Sequence, residues 1–342
     1  MLTPVQKMMT QLFEGQPLSR EQAKTLFSYV VHGEVSEVEL ACVLIALKLR
    51  GEHIEEITGA AEALREAARP FPRPQGDLID IVGTGGDGAN TINISTTATF
   101  VAAAAGARVA KHGSRSVSSR SGASDLLSQF GVNLTMCPAH SARCLESLRV
   151  TFLFAPHYHA GMRHAAPVRQ VMKTRTLFNV LGPLINPARP NQMLLGVYAP
   201  ELIRPIAEVL RSLGVERALV VHGSGLDELA IHGDSRALEI LGGELVERRF
   251  SPADLGVSQY DLAAIRGGEP EENRVISEQL LGGGGTDAQR AAVAVNAGAA
   301  LYLSGKVDSM KAGTELALAT MDAAKPLQLI RDFAQLSQRE AV

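Results

Sequence analysis

The stretch PFPRPQG, residues 70 to 76, divides the chain into two textures and constrains its fold more than any other feature. Its three prolines remove backbone donors and disfavour helix around them. Before the break, residues 3 to 69 read as helices. Ser19 with Gln22 and Ser36 with Glu39 each match a capping box, and ELACVLIALKLR supplies a broad apolar face. After it, short β-like runs alternate with Ala-rich helical runs: LIDIV (78 to 82), ARVAK (107 to 111), TFLFA (151 to 155), MLLGVYA (193 to 199) and RALVVHG (217 to 223). Strand, loop and helix in repetition predict a sheet with helices packed on it, its strands mainly parallel. The expected fold class is therefore α/β, with a small all-helical N-terminal domain plus a larger α/β domain with a mainly parallel central sheet. Near the C-terminus GGGG (282 to 285) reads as a loop, followed by a Thr286 cap and a long buried helix.

A chain of 342 residues accommodates two such units. With 33 basic against 36 acidic side chains it carries no global signal for nucleic acid, although local basic patches can still bind phosphate. Cys42, Cys137 and Cys144 are odd in number and lack CxxC spacing, which argues against a disulfide framework or a thiolate zinc site and fits a reducing cytoplasm. MLTPVQKMMTQLFEG lacks the pattern of an export leader, and no run reaches the ~18 apolar residues of a membrane span.

Polar residues just after parallel strands lie along the carboxyl edge of the sheet, where ligands of α/β proteins bind. DIVGTGGDGANTINIS, residues 80 to 95, places Gly83, Gly85 and Gly88 there with the G-x-G-x-x-G spacing of a dinucleotide loop. The acid that should follow about 20 residues later to hold a ribose is missing. Between Asp87 and Asp125 the only charges are Arg108, Lys111, Arg115 and Arg120, with His112 beside them. No G-K-[ST] follows either, so the Walker loop is excluded. A phosphorylated ligand that is neither a dinucleotide nor a triphosphate in a Walker loop remains. The glycines admit diphosphate oxygens to backbone N–H groups, and Asn93, Ser95 and Thr96 at a helix start add side-chain donors.

AKHGSRSVSSRSGASDLL (110 to 127) concentrates cations and hydroxyls suited to phosphate. Asp227 and Glu228 in HGSGLDELAIHG are oxygen donors of the kind magnesium takes together with substrate phosphates. In FAPHYHAGMRHAAPVRQVMKTRTLFNVLGPLINP (154 to 187), His157, His159 and His164 lack the spacing of a zinc helix. Arg163, Arg169 and Arg175 read as anion binders or helix-surface charges, and LGPLINP as a rigid turn.

Taken together, GTGGD, the KHGxRSVSS segment, the nine-residue gap from His159 to Arg169, RTLFNVLGPLINP and GLDE resemble the anthranilate phosphoribosyltransferases over nearly the whole chain. The resemblance implies a helical domain over residues 1 to 70, rejoined by 168 to 190, and a large domain over 76 to 167 and 191 to 342. It implies transfer of a phosphoribosyl group from 5-phosphoribosyl 1-diphosphate to anthranilate, a step of tryptophan biosynthesis, with Mg2+ as cofactor and a homodimer as the assembly. Gly83, Thr84, Gly85, Gly86, Asp87, Asn93, Ser95, Thr96, Lys111 and Ser119 would hold the donor, with Lys111 and Asp87 catalytic. Ser95, Asp227 and Glu228 would ligate the metal. Gly83, His112, Ser114, His159, Arg169, Gly182 and Pro183 would line the acceptor site. Three readings compete: a related transferase with another aromatic acceptor, a pyrimidine nucleoside phosphorylase, and a non-catalytic nucleic-acid-binding relative. A pI near 6.3 and few aromatics disfavour the last.

One position departs from the family pattern: Ser114 stands in KHGSRS where the family usually has Asn. Serine keeps a hydroxyl but loses the reach and second group of the amide. Ser114→Asn should therefore lower the acceptor KM in steady-state assays, and an unchanged or higher value would count against a contact at this position.

Overall fold

The computed structural model describes residues 2–115 and 120–339, so the expected donor contact at Ser119 lies outside the described residues. The N-terminal part folds as four helices: α1 (Pro4–Phe13), α2 (Arg20–His32), α3 (Glu37–Arg50) and α4 (Ile54–Glu66). Ser19 and Ser36 close capping boxes with Gln22 and Glu39, and Thr3 does so with Gln6. Glu56 locks the bundle from inside. Its fully buried carboxylate accepts N–H bonds from Leu18 and His53 at 2.8 Å and pairs with Arg50, which supplies the partners a buried charge requires.

Among the described residues the strands number seven: β1 (Ile79–Gly83), β2 (Val109–Gly113), β3 (Val150–Phe154), β4 (Gln192–Gly196), β5 (Arg217–Gly223), β6 (Ser235–Leu241) and β7 (Glu244–Phe250). They form one sheet in the order β3-β2-β1-β4-β5-β6-β7. The first five of that row run parallel, and β6 and β7 are added antiparallel. The chain winds outward from β1 to β3 and then returns to lay β4 on the other side of β1. The carboxyl ends of β1 and β4 thus flank the switch point, where a crevice opens in sheets of this kind. The β6–β7 hairpin is absent from the expected strands although SRALEILGGELVERRF contains its signal. Gly242 and Gly243 adopt φ of +58° and +85°, as a two-residue hairpin turn with both central residues left-handed demands.

Alternation along the strands sends successive residues to two cores. Leu194, Leu219 and Val221 face a cluster formed with α5 (Ile94–Ala104) and the helix Asp287–Leu303, which starts at Thr286 in a capping box. Met193, Leu195 and Val220 face the opposite cluster, which they share with Leu26, Phe27, Leu44 and Leu47 of the N-terminal helices. Ala165, Val168, Phe178, Leu181 and Leu184 complete that second cluster, and the Phe27 and Phe178 rings meet edge-on at 5.9 Å. LGPLINP differs from the expected turn: Phe178–Leu181 is helical and continues into a 3-10 turn, Gly182–Ile185. Pro183 is compatible with that turn because an amide in its first positions has no helical acceptor. No helix among the described residues is long and apolar enough to cross a membrane.

Candidate active site

Four of the five parallel strands end in glycine: Gly83, Gly113, Gly196 and Gly223. The reason at three of them is the loop that follows β5. A Cβ on Gly83 would fall 2.1 Å from Asp227 Oδ2, one on Gly196 1.6 Å from the Asp227 carbonyl oxygen, and one on Gly223 2.2 Å from the Glu228 carbonyl oxygen. Residues 227 and 228 therefore cross the strand ends in van der Waals contact with the backbone, and the missing side chains make that crossing possible.

This crossing brings Asp227 to the glycine loop. Gly85 N–H donates to Asp227 Oδ2 at 2.6 Å, and Thr84 N–H donates to the Gly196 carbonyl at 2.9 Å. Gly85, Gly86 and Gly88 take left-handed φ of +68°, +81° and +77°. The N–H groups of Gly86, Asp87 and Gly88 have no protein acceptor among the described residues. A run of unpaired amides in such a turn is an anion-binding concavity. Asp87 meets the Asp227 carboxyl, and Glu228 meets the Ser95 hydroxyl near the start of α5. Asp227 is raised to about 7 by burial and by the charge of Asp87, and Glu228 to about 8 by burial and by Asp227.

The expected donor residues divide between this loop and its supports. Ser95 and Thr96 occupy the first turn of α5, with Thr96 buried. Asn93, just before it, is committed to the protein: its Nδ2 donates to the Ser121 carbonyl at 3.0 Å and its Oδ1 accepts from Asn273 at 2.8 Å. Lys111 lies beneath the loop, buried, with its ammonium donating to the Ile81 carbonyl. Burial lowers its pKa, while Asp80, Glu228 and Asp227 oppose the shift.

Asp80 belongs to this arrangement and was not anticipated. It is fully buried in β1, and burial raises its pKa to about 6 against the pull of Lys111. One oxygen accepts the His112 N–H at 3.3 Å and the other accepts Asn186 Nδ2 at 2.8 Å. An acid in the middle of the apolar run LIDIV is the sequence signal for it, since a buried carboxylate needs dedicated partners.

The expected acceptor residues gather on the other side of β2. His112 and His159 stack edge to face at 5.2 Å, and burial holds both neutral, His159 at about 4 and His112 well below its usual value. His112 Nδ1 lies 3.2 Å from the Gly182 carbonyl, so the proton sits on that nitrogen. Nε2 of each ring has no hydrogen-bond partner among the described residues. The Arg169 guanidinium lies over the Phe178 ring at 5.5 Å, has no ion pair among the described residues, and is partly desolvated. Pro183 is buried beside exposed Gly182, and Ser114 is exposed at the mouth, bonded through its carbonyl to Ser124 N–H at 3.3 Å. His157 is drawn away to Arg69 at 2.8 Å.

Over nearly its whole length the chain is similar to known proteins. Residues 6–68 match the family described as "Glycosyl transferase family, helical bundle domain", and residues 75–326 match "Glycosyl transferase family, a/b domain". The anthranilate phosphoribosyltransferase of Shewanella baltica strain OS195 is 59% identical over 341 residues, 98% of this chain and 96% of that protein. The chain belongs to the anthranilate phosphoribosyltransferases. The family's solved enzyme from Thermus thermophilus superposes with a TM-score of 0.93 at 42% identity, covering 97% of this chain and 99% of that one. The enzyme from Saccharomyces cerevisiae, solved in complex with PRPP and Mg, superposes with a TM-score of 0.90 at 26% identity, covering 97% of each chain.

The raised carboxyls carry a pH consequence with a definite sign. Both groups are protonated below their elevated pKa values, and a divalent cation binds the ionised form. Affinity for a divalent cation should therefore rise from about pH 6 to about pH 8, with protons released on binding. Mn2+ as a paramagnetic probe, followed by water-proton relaxation at several pH values, checks this; pH-independent affinity would contradict the assigned shifts.

Proposed function

We infer that this chain transfers the phosphoribosyl group of 5-phosphoribosyl 1-diphosphate to the amine of anthranilate and releases diphosphate. The observation that carries the reading is the pairing of two adjacent compartments. One offers unpaired N–H groups of Gly86, Asp87 and Gly88 with the carboxyls of Asp87, Asp227 and Glu228. The other offers the unpaired cation of Arg169 beside neutral His112 and His159. Lys111 and His112, neighbours in β2, serve one compartment each.

The donor set suits magnesium, because carboxylates of Asp227 and Glu228 and the hydroxyl of Ser95 are hard oxygen ligands. Magnesium commonly takes one or two carboxylates and completes its shell with substrate phosphate oxygens and water. When bound, the ion would supply positive charge to offset the negative charge of the departing diphosphate.

The chain's own residues bind and align. The loop amides and the start of α5 receive the diphosphate, and Lys111 supplies positive charge beneath the acidic pair. Arg169 takes the carboxylate of anthranilate, for which its planar fork is suited. The free Nε2 lone pair of His112 accepts from the aromatic amine and directs the amine's own lone pair at the anomeric carbon. The C–O bond to diphosphate breaks with its electron pair leaving on diphosphate, the C–N bond forms on the opposite face, and the nitrogen passes its proton to the His112 Nε2 lone pair as it bonds. No strong base is required, and holding both substrates in line removes much of the entropic cost.

The assembly is proposed to be a homodimer in a reducing cytoplasm, where Cys42, Cys137 and Cys144 remain free as they are here. Val38, Cys42, Ile45 and Leu49 recur on one face of α3, and Val38 and Leu49 are 74% and 81% exposed. Val171, 83% exposed, lies on the helix Ala166–Met172, which packs against α3. Such a stripe normally marks a contact surface.

Activity, site variants and assembly each test the proposal. Anthranilate fluorescence should decay only with both the phosphoribosyl donor and Mg2+ present, and the product should have inverted anomeric configuration. Asp227→Asn with Glu228→Gln, or Lys111→Ala, should reduce turnover by about a hundredfold or more with the fold retained; wild-type rates in these variants would overturn the residue roles. Val38→Glu with Leu49→Glu should sediment as a monomer, and a persistent dimer would move the interface elsewhere.

A further inference from the structure

The donor loop contains adjacent glycines with left-handed backbones and little stiffness of its own. Besides the bonds of Gly85 to Asp227 and of Thr84 N–H to Gly196, two further contacts from outside hold it. Thr84 Oγ1 accepts the N–H of Tyr198, just beyond β4, at 3.1 Å. Gly86 presents its carbonyl oxygen to Arg175 Nη2. The same guanidinium lies over the Tyr198 ring, 4.0 Å from its centroid.

Arg175 arrives from the acceptor side. It sits between the helix Ala166–Met172, which carries Arg169, and the helix Phe178–Leu181, which leads into Gly182 and Pro183. That segment is stiff. Lys48 of α3 donates to Thr174 Oγ1, Thr176 N–H donates to Asn179 Oδ1 at 2.9 Å, and Leu177 and Phe178 are buried in the core shared with the N-terminal helices. Glu52 and Glu201 both act on the Tyr198 hydroxyl, yet Arg175 forms no ion pair with either among the described residues. Its guanidinium is committed to the loop carbonyl and the ring.

We propose that Arg175 is a positioning residue that clasps the donor loop from the acceptor side, with Tyr198 as the platform that holds its guanidinium flat. The peptide joining Gly86 to Asp87 is planar and trans, so turning its carbonyl toward Arg175 turns the Asp87 N–H the opposite way. Arg175 thereby orients an amide of the diphosphate site without touching diphosphate, and links the segment bearing Arg169 to the loop that receives the other substrate. The inference rests on the reading of Gly83 to Asp87 as the donor loop.

The test uses the full-length protein with Arg175→Ala, Arg175→Lys, Tyr198→Phe, Tyr198→Leu and the double variant Arg175→Ala/Tyr198→Leu. Loss of a charged hydrogen bond that preorganises a site should raise the donor KM about tenfold. Arg175→Ala is expected to do this while leaving the thermal midpoint and the acceptor KM at saturating donor near wild type. Arg175→Lys should recover only part of the loss, because an ammonium neither forks nor lies flat on a ring. Tyr198→Phe should behave as wild type and Tyr198→Leu like Arg175→Ala. The double variant should be no worse than either single one, the mark of residues acting as a unit. An unchanged donor KM in Arg175→Ala, additive losses in the double variant, or losses that track a fall in thermal midpoint would each overturn the clasp. Asp227→Asn with Glu228→Gln, run in parallel, separates the two failures: its inactivity beside a wild-type Arg175→Ala rejects the clasp alone, whereas its full activity rejects the loop assignment on which the clasp rests.

Discussion

The close approach of residues 227 and 228 to the strand ends is the constraint on which the rest of the site depends. Backbone and carboxylate of Asp227 occupy the space where side chains of Gly83 and Gly196 would be, and the Glu228 carbonyl does so at Gly223. Interiors do not yield to overlaps of this size without moving backbone. A methyl group at any of these positions would lift the acidic pair away from the Gly85 amide and from Ser95. The glycines are thus conditions for charge placement, and only Gly85, Gly86 and Gly88 in the loop are conditions for chain reversal.

Charge placement in turn explains the buried polar residues that surround the site. Asp80, Lys111, Asp227 and Glu228 form a series beneath the loop, in which burial opposes ionisation of each group and each opposite charge favours it. Asn186 ties that series to the 3-10 turn at Gly182 through Asp80 and the Ala110 carbonyl, both at 2.8 Å. The two compartments consequently share structural supports as well as a border. Around His112 and His159 the dominant effect is dehydration, which keeps both rings neutral.

Much of the architecture was legible because it rests on local rules. Capping boxes at Ser19 and Ser36, the cap at Thr286, and five strands as short apolar runs required no knowledge of distant contacts. The hairpin of β6 and β7 was equally local in its Gly242-Gly243 turn, but its strands carry charges and β7 is largely exposed, so the apolar signal was weak. For the candidate site, the loop glycines, the acidic pair and the cations could be singled out by residue type. Asp80, Asn186 and Tyr198 could not be assigned roles, because these depend on partners 32 to 114 residues away in sequence. The direction of the Lys111 side chain, into the sheet and toward Ile81, is likewise a tertiary fact.

The apolar cluster shared by Phe27, Leu44, Phe178, Leu181 and Leu184 also bears on how the protein is made. A chain leaving the ribosome from its N-terminus presents α1 to α4 long before Phe178 to Ile185 exist. Until those residues arrive, the four helices lack side chains that share their core, among them the Phe178 ring that meets Phe27. The first structural unit in the sequence is therefore not the first that can finish folding. During synthesis its apolar faces are open to chaperones, to a neighbouring nascent copy and to proteases for as long as roughly a hundred further residues take to be made.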